Sequence, residues 1–225
     1  MPVIVVQENI EIKRTIRRLA HEIIENNQGT SELILVGILT RGATLAERIA
    51  TEIENFEGVE IPTGSLDIVL HRDDLNTSGL APRLQRSTIP RDLAGTTVVL
   101  VDDVLYTGRT CRAALDALMD YGRPASVRLA VYIDRGHREL PIRPDFVGRN
   151  IPTAPNQSIL VELNEIDGID RVSIIDEELT FVEMIESRNT LSHTYNEEQA
   201  AKIYVKCVDY LKAMKNVLAQ LNKQS

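Results

Sequence analysis

Thr97-Val98-Val99-Leu100-Val101-Asp102-Asp103-Val104-Leu105-Tyr106-Thr107-Gly108-Arg109-Thr110 is the stretch on which the reading of this chain turns. Five residues suited to a fully buried strand, 97–101, end in two carboxylates. A short loop with Gly108 and two threonines then leads into a helix predicted to start near Thr110. In an open α/β sheet, ligands bind beyond the carboxyl ends of the strands, where loop meets helix. Backbone N–H groups of Thr107 to Thr110 would cradle a phosphate there, with the threonine hydroxyls as further donors and the helix dipole favouring the anion. Asp102 and Asp103, just upstream, are placed to accept hydrogen bonds from the two hydroxyls of a ribose. One loop would thus hold a ribose 5-phosphate. A solvated acidic turn explains the Asp pair alone, but not strand, pair, aromatic, TG and RT in succession.

Working outward, apolar residues Ile12, Ile16, Leu19 and Ile23 recur at helical spacing and predict a helix over 10–26. Its opposite side carries Arg14, Arg17, Arg18 and His21, which taken alone reads equally well as a solvated basic face. A buried-strand pattern follows at 33–38, a loop at 40–42, a helix over 43–55 and a second strand pattern at 66–70. The polar stretch 72–93 is long for a structureless connection, and such loops are lids or disordered segments. Further strand patterns lie at 127–133, 146–147, 159–163 and 172–175. Alternating strands and helices imply parallel pairing through right-handed crossovers, hence an open, mainly parallel α/β sheet flanked by helices.

Composition sets the outer limits. The 225 residues carry 33 acidic against 25 basic side chains, a net charge of −8, which argues against generic nucleic-acid binding and leaves room for a local basic face. The length suits one core plus an extra piece, or two small domains. No apolar run is long enough to span a bilayer, and the N-terminus has no pattern of a secretory signal. Two cysteines, Cys111 and Cys207, neither in a CxxC, point to a reducing cytoplasm.

The stretch 97–110 resembles the phosphoribosyl diphosphate (PRPP) motif of type I phosphoribosyltransferases. GILTRG (37–42), LHRDDL (70–75), VVLVDDVLYTGRT (98–110), DALMDYGRP (116–124), LAVYIDRGHRELPIRPDFVGRNIPT (129–153) and ILVEL (159–163) are similar, in that order, to the bifunctional pyrimidine operon attenuation regulators and uracil phosphoribosyltransferases. The likeness covers residues 1–176. It implies conversion of uracil and PRPP to UMP and diphosphate. PRPP would be held by Asp102, Asp103, Tyr106, Thr107, Gly108, Arg109 and Thr110, and its diphosphate by Thr40, Arg41 and Gly42. Arg72, Asp73, Arg83 and Arg86 would form a lid, with Asp74 beside them. The uracil pocket would involve Asp134, Arg135, Gly136 and His137. Mg2+ would be bound mainly through PRPP oxygens, with no metal site preformed by the protein. Two alternatives stay open: a purine-salvage phosphoribosyltransferase, which shares the PRPP loop, and a non-catalytic RNA-binding regulator.

The same resemblance implies binding of a pyrimidine operon mRNA leader hairpin under control of UMP or UTP, with Arg17, Arg18, His21, His137 and Arg138 as the candidate contacts. The family resemblance also suggests a homodimer or higher homo-oligomer. Beyond 176 the texture becomes wholly helical: Asn196 can cap a helix whose apolar stripe runs from Ile203 to Leu221. The string SRNTLSHTYNEEQAAKIY (187–204) resembles the C-terminal half of HEPN-type helical modules, in which Arg188 and His193 would be the residues that act on RNA in active members. Only about 45 residues of such a module are present, so the tail 177–225 is expected to be a helical fragment without activity of its own.

Overall fold

The computed structural model describes residues 3–72, 86–90 and 92–176. Asp73, Asp74 and Arg83 of the expected lid, and the whole tail with Arg188 and His193, lie outside the described residues. In chain order the elements are β1 (Val3–Glu8), α1 (Asn9–Asn27), β2 (Leu33–Ile38), α2 (Arg41–Glu57), β3 (Thr63–Leu66), a 3-10 turn (Val69–His71), β4 (Thr97–Leu105), α3 (Arg109–Met119), β5 (Ser126–Asp134), β6 (Phe146–Asn150), β7 (Gln157–Glu162), α4 (Asn164–Asp167) and β8 (Arg171–Asp176). Among the described residues, no helix is long and apolar enough to cross a membrane.

The residues fall into two compact units. The larger, residues 7–153 and 161–172, contains a five-stranded sheet in the order β3-β2-β4-β5-β6. Every neighbouring pair in it is parallel. Strands covered on both faces need continuous apolar sequence, and all six residues of β2 are buried. Side chains alternate across the sheet, so Ile34, Val36, Val98, Leu100 and Val131 meet Ala113, Ala114, Ala117 and Leu118 of α3 on one side. Helix α2 packs on β2 and β4, and α1 on α2 and β6. In α1 the four apolar positions picked out by spacing are buried, at 2% exposure or less. The smaller unit takes in residues 3–6, 154–160 and 173–176, which supply most of a three-stranded sheet in the order β1-β8-β7.

The expected architecture is borne out, with four local corrections. The loop expected at 40–42 ends at Thr40, because Arg41 and Gly42 already form the first turn of α2. The strand expected at 66–70 lies earlier, at Thr63–Leu66. Asp67 ends it by accepting the Val69 N–H on Oδ1 at 2.9 Å, which turns the chain into the 3-10 segment. Strand β4 does not stop at Val101. Its pairing with β2 ends there, at Gly37↔Val101, but pairing with β5 continues to Leu105↔Asp134. Finally, Val3–Glu8 forms a strand where the sequence periodicity predicts no element.

Candidate functional site

Three loops that leave the carboxyl ends of adjacent strands β2, β4 and β5 form the site. At its centre, Asp102 and Asp103 occupy the last part of β4, alongside β5 and past the end of its pairing with β2. The Asp103 N–H donates to Asp102 Oδ1 at 3.0 Å and the Val104 N–H to Asp103 Oδ1 at 2.8 Å. Asp102 is only 6% exposed. Burial and the neighbouring Asp103 charge push its carboxyl well above the usual range. Burial also raises Asp103, opposed by its bond from the Val104 N–H and by the charge of Arg41. Cys111, on the first turn of α3, is buried, and burial with the Asp102 charge pushes its thiol up to about 12, so it supplies no thiolate.

The loop after β4 turns at Gly108, whose φ of +93° is open to glycine and costly for other residues, and the helix starts at Arg109. The loop is braced from behind by the segment after β5. Thr107 O accepts the N–H groups of Glu139 and Leu140, both at 3.0 Å, and Leu105 O accepts that of Arg135 at 3.1 Å. Arg138 donates to Tyr106 O at 2.8 Å, to Gly136 O and Ile142 O at 3.1 Å, and to the Asp134 carboxylate. Asp134 Oδ1 in turn accepts the Gly136 N–H at 2.9 Å. Arg135, 7% exposed, lies 4.0 Å from the centroid of the Tyr106 ring and donates to Thr153 Oγ1 at 3.0 Å. His137 meets the Tyr106 ring edge-on at 5.9 Å, has φ of +58°, and its Nε2 lies 2.6 Å from Thr153 O. Of the four residues expected around the uracil, Arg135 and His137 thus lie against the Tyr106 ring, while Asp134 holds the turn through Gly136 and Arg138.

The loop after β2 approaches from the other side. Its Leu39–Thr40 peptide is cis. Thr40 precedes the first turn of α2, which presses against the sheet so closely that a Cβ on Gly42 would lie 2.3 Å from Val101 O, and one on Gly37 2.2 Å from Gly42 O. Arg41 donates from Nη2 to Asp167 Oδ1 at 2.8 Å. The tie to Asp167, 126 residues away, was not visible to sequence reasoning; the only signal was the acidic run Glu165, Asp167 and Asp170.

The other expected residues belong to other elements. Arg86 lines an open cavity of about 440 Å³ with Asp67, His71, Asp120 and Tyr121, at the C-terminal end of α3 and not at its start. Arg72 follows the 3-10 turn. On α1, Arg18 donates to Val147 O at 3.1 Å, to Gly148 O and to Glu22, which fastens the helix to β6. His21 stacks on Phe56 at 4.0 Å. Arg14 and Arg17 make no hydrogen bond or ion pair among the described residues.

Residues 6–166 match the family described as phosphoribosyl transferase domain. The chain is 59% identical over 165 residues to the bifunctional protein PyrR of Chloroflexus aurantiacus, covering 73% of this chain and 91% of that protein. It is 58% identical over 168 residues to the bifunctional protein PyrR of Thermus aquaticus, covering 75% and 93%. The chain belongs to the PyrR family of phosphoribosyl transferases. Solved structures agree at the level of the fold. The hypoxanthine phosphoribosyltransferase of Trypanosoma cruzi, in complex with the product IMP, matches with a TM-score of 0.60 at 18% identity, over 82% of this chain and 95% of that one. That of Staphylococcus aureus matches at 0.57 and 17%, over 78% and 95%. The PyrR relatives leave the C-terminal stretch unaccounted for. Residues 169–223 match a second family, described as nucleotidyltransferase substrate binding protein like.

Proposed function

We propose that this PyrR-family chain converts uracil and PRPP to UMP and diphosphate, and that it binds a pyrimidine operon mRNA leader in response to uridine nucleotides to attenuate transcription. The observation that carries the catalytic half is the convergence of three loops from neighbouring parallel strands on the start of α3. The Thr107–Thr110 N–H groups receive the 5-phosphate, Asp102 and Asp103 the ribose hydroxyls, and Arg41 with the N-terminal turn of α2 the diphosphate. As the bond from ribose C1 to diphosphate breaks and the bond to the uracil nitrogen forms, that nitrogen giving up its proton to the departing diphosphate or to water, positive charge builds on the sugar and negative charge on the leaving group. No protein nucleophile is needed. Pre-positioning and neutralisation of the leaving group supply the acceleration. Tyr106, with Arg135 fixed over its ring and the 134–138 turn beside it, borders the place for the base.

A buried and a half-buried carboxylate, both pushed toward protonation, fit a divalent cation that arrives with its own ligand oxygens. Among the described residues, no group of three or more His, Cys, Asp or Glu side chains gathers at metal-binding distance. Asp102 or Asp103 would complete the shell of Mg2+ brought by PRPP, and the ion supplies charge screening on the diphosphate.

For RNA, the outward face of α1 carries the reading. Arg14 and Arg17 are available for phosphates, while Arg18 and His21 are anchored by β6 and Phe56 at its edge. His137 and Arg138 are committed to bracing the nucleotide loop, so in this reading they couple RNA affinity to the bound nucleotide. The tail 177–225 is read as a helical fragment appended to a domain ending at 176, a reading supported by the second family match. Incubation with PRPP, Mg2+ and each base in turn tests the catalytic half. Product from hypoxanthine and none from uracil overturns it. Gel shifts with a pyrimidine-leader hairpin and UMP test the other half, which fails if no complex forms at low salt.

A further inference from the structure

We infer that Asp167 is a positioning residue that sets the affinity for PRPP by holding Arg41 in place; the inference rests on the reading that residues 40–42 receive the diphosphate. Arg41 and Arg48 stand seven residues apart, two turns, on one face of α2. Both meet the short acidic segment around α4. Arg48 donates to Glu165 Oε1 at 2.9 Å and to Asp170 Oδ1 at 2.6 Å, and Arg41 to Asp167 Oδ1 at 2.8 Å.

The Asp167 carboxylate is itself fixed. Its Oδ2 accepts the Leu163 N–H at 2.9 Å, its own N–H donates to Leu163 O at 2.7 Å, and Leu163 is fully buried. Asp167 engages a single N–H of the guanidinium. Arg41 Nε is buried and has no acceptor among the described residues. A charged donor left buried without an acceptor is costly, and an anionic ligand oxygen would supply the missing partner. Nε and Nη2 lie on one edge of a guanidinium, the edge by which Arg48 and Arg171 each grip a carboxylate with both donors; in Arg41 Asp167 holds Nη2 alone, which leaves Nε for a ligand oxygen, and Asp103 already feels the Arg41 charge. Without Asp167, the long side chain would regain its rotamer freedom, and ordering it again would be charged to ligand binding.

A double-mutant cycle on PRPP affinity, read by calorimetric titration in the presence of Mg2+, tests this. Asp167→Asn offers a single oxygen to two donors and should weaken PRPP binding about tenfold, the worth of one charge-assisted hydrogen bond. Arg41→Gln should weaken it at least as much. The double variant should be no weaker than Arg41→Gln, because Asp167 then has nothing to hold. Glu165→Gln, which removes an α4 contact to Arg48 and none to Arg41, should stay within about twofold of the wild type. Wild-type affinity in Asp167→Asn, additive losses in the cycle, or an equal loss in Glu165→Gln would each overturn the inference. Should Asp167→Asn fail to fold, Asp167→Glu takes its place, with the same non-additivity expected. A wild-type protein that binds PRPP but does not convert uracil overturns the uracil assignment and leaves the role of Asp167 to be decided by the cycle.

Discussion

Replacing Gly42 by alanine should cost both stability and PRPP use, by amounts that follow from one contact. The added methyl would lie 2.3 Å from Val101 O and 3.3 Å from Val101 C and Asp102 Cα, all backbone atoms of β4. Carbon and carbonyl oxygen rarely approach closer than about 3.3 Å, so the first turn of α2 must retreat by about 1 Å. A slide along the sheet is obstructed, because that turn also sits against Gly37 of β2. Overpacking of this kind costs about 1–3 kcal/mol. For a domain this size, each kcal/mol lowers the melting temperature by about 2–4 °C, so a drop of roughly 2–12 °C is expected. The same retreat carries Arg41 away from Asp103. A misplacement of about 1 Å reduces catalysis by about 10²-fold. Thermal unfolding and steady-state kinetics with PRPP as the varied substrate measure the two effects. An alanine variant that melts with the wild type and keeps its kcat/KM for PRPP would refute the claim that this glycine seats the helix against the carboxylate strand.

The carboxylate pair gives a pH-dependent test. Both folded-state pKa values are raised above the ordinary 3.8 for an aspartate, chiefly by burial. Their stabilising share is thus complete below about pH 4 and is lost as pH rises through the folded values. Asp102→Asn should therefore melt higher than the wild type near pH 8, show no such gain near pH 4, and lose PRPP turnover; a gain that does not depend on pH would defeat the argument. In the core, Tyr132 donates to Gln7 Oε1 at 2.9 Å, and Gln7 donates on to Thr15 Oγ1 at 3.2 Å. Tyr132→Phe leaves the buried Gln7 carbonyl without its donor and should cost about 1–2 kcal/mol in denaturant unfolding with kcat unchanged. On α1, Arg17→Gln should weaken hairpin binding and lower the salt slope by about one without shifting the melting point. Arg18→Gln should weaken RNA binding and also cost about 1 kcal/mol of stability, because it releases the Val147 and Gly148 carbonyls. Identical melting curves for the two variants would contradict the anchoring role of Arg18.

Legibility in the sequence followed the range of the interactions. The α1 stripe, β2 and the turn from β4 into α3 are local patterns of period and composition, and all three were readable. Residues 40–42 were expected as a loop, whereas Arg41 and Gly42 already form the first turn of α2, and the reason for Gly42 was only half seen. A glycine there allows close approach to a ligand, and the structure adds that the helix itself needs the space against Val101. The strand at 63–66 was misplaced because Leu66, Ile68 and Leu70 alternate as a strand would, while the Asp67 side chain, a local competitor for the Val69 N–H, ends the pairing. Asp167 was invisible for a different reason. Its meaning depends on Arg41, and nothing in the spacing of two residues 126 positions apart says that the fold joins them.

The charges divide in the same way between local and long-range pairings, and this division constrains how the acidic protein would meet RNA. Arg41, Arg48, Arg109, Arg112, Arg138 and Arg171 each sit on a carboxylate, and Arg18 is shared between Glu22 and two backbone carbonyls. A cation already neutralised in the fold releases few counterions when a phosphate arrives, so its weight in binding is small. On the face of α1 this leaves Arg14 and Arg17 as the arginines without a partner among the described residues. Two phosphate contacts from this face give little sequence-blind affinity. Tight binding must then draw on base and shape recognition in the RNA loop, which is the condition under which a chain of net charge −8 can select one hairpin without retaining RNA in general.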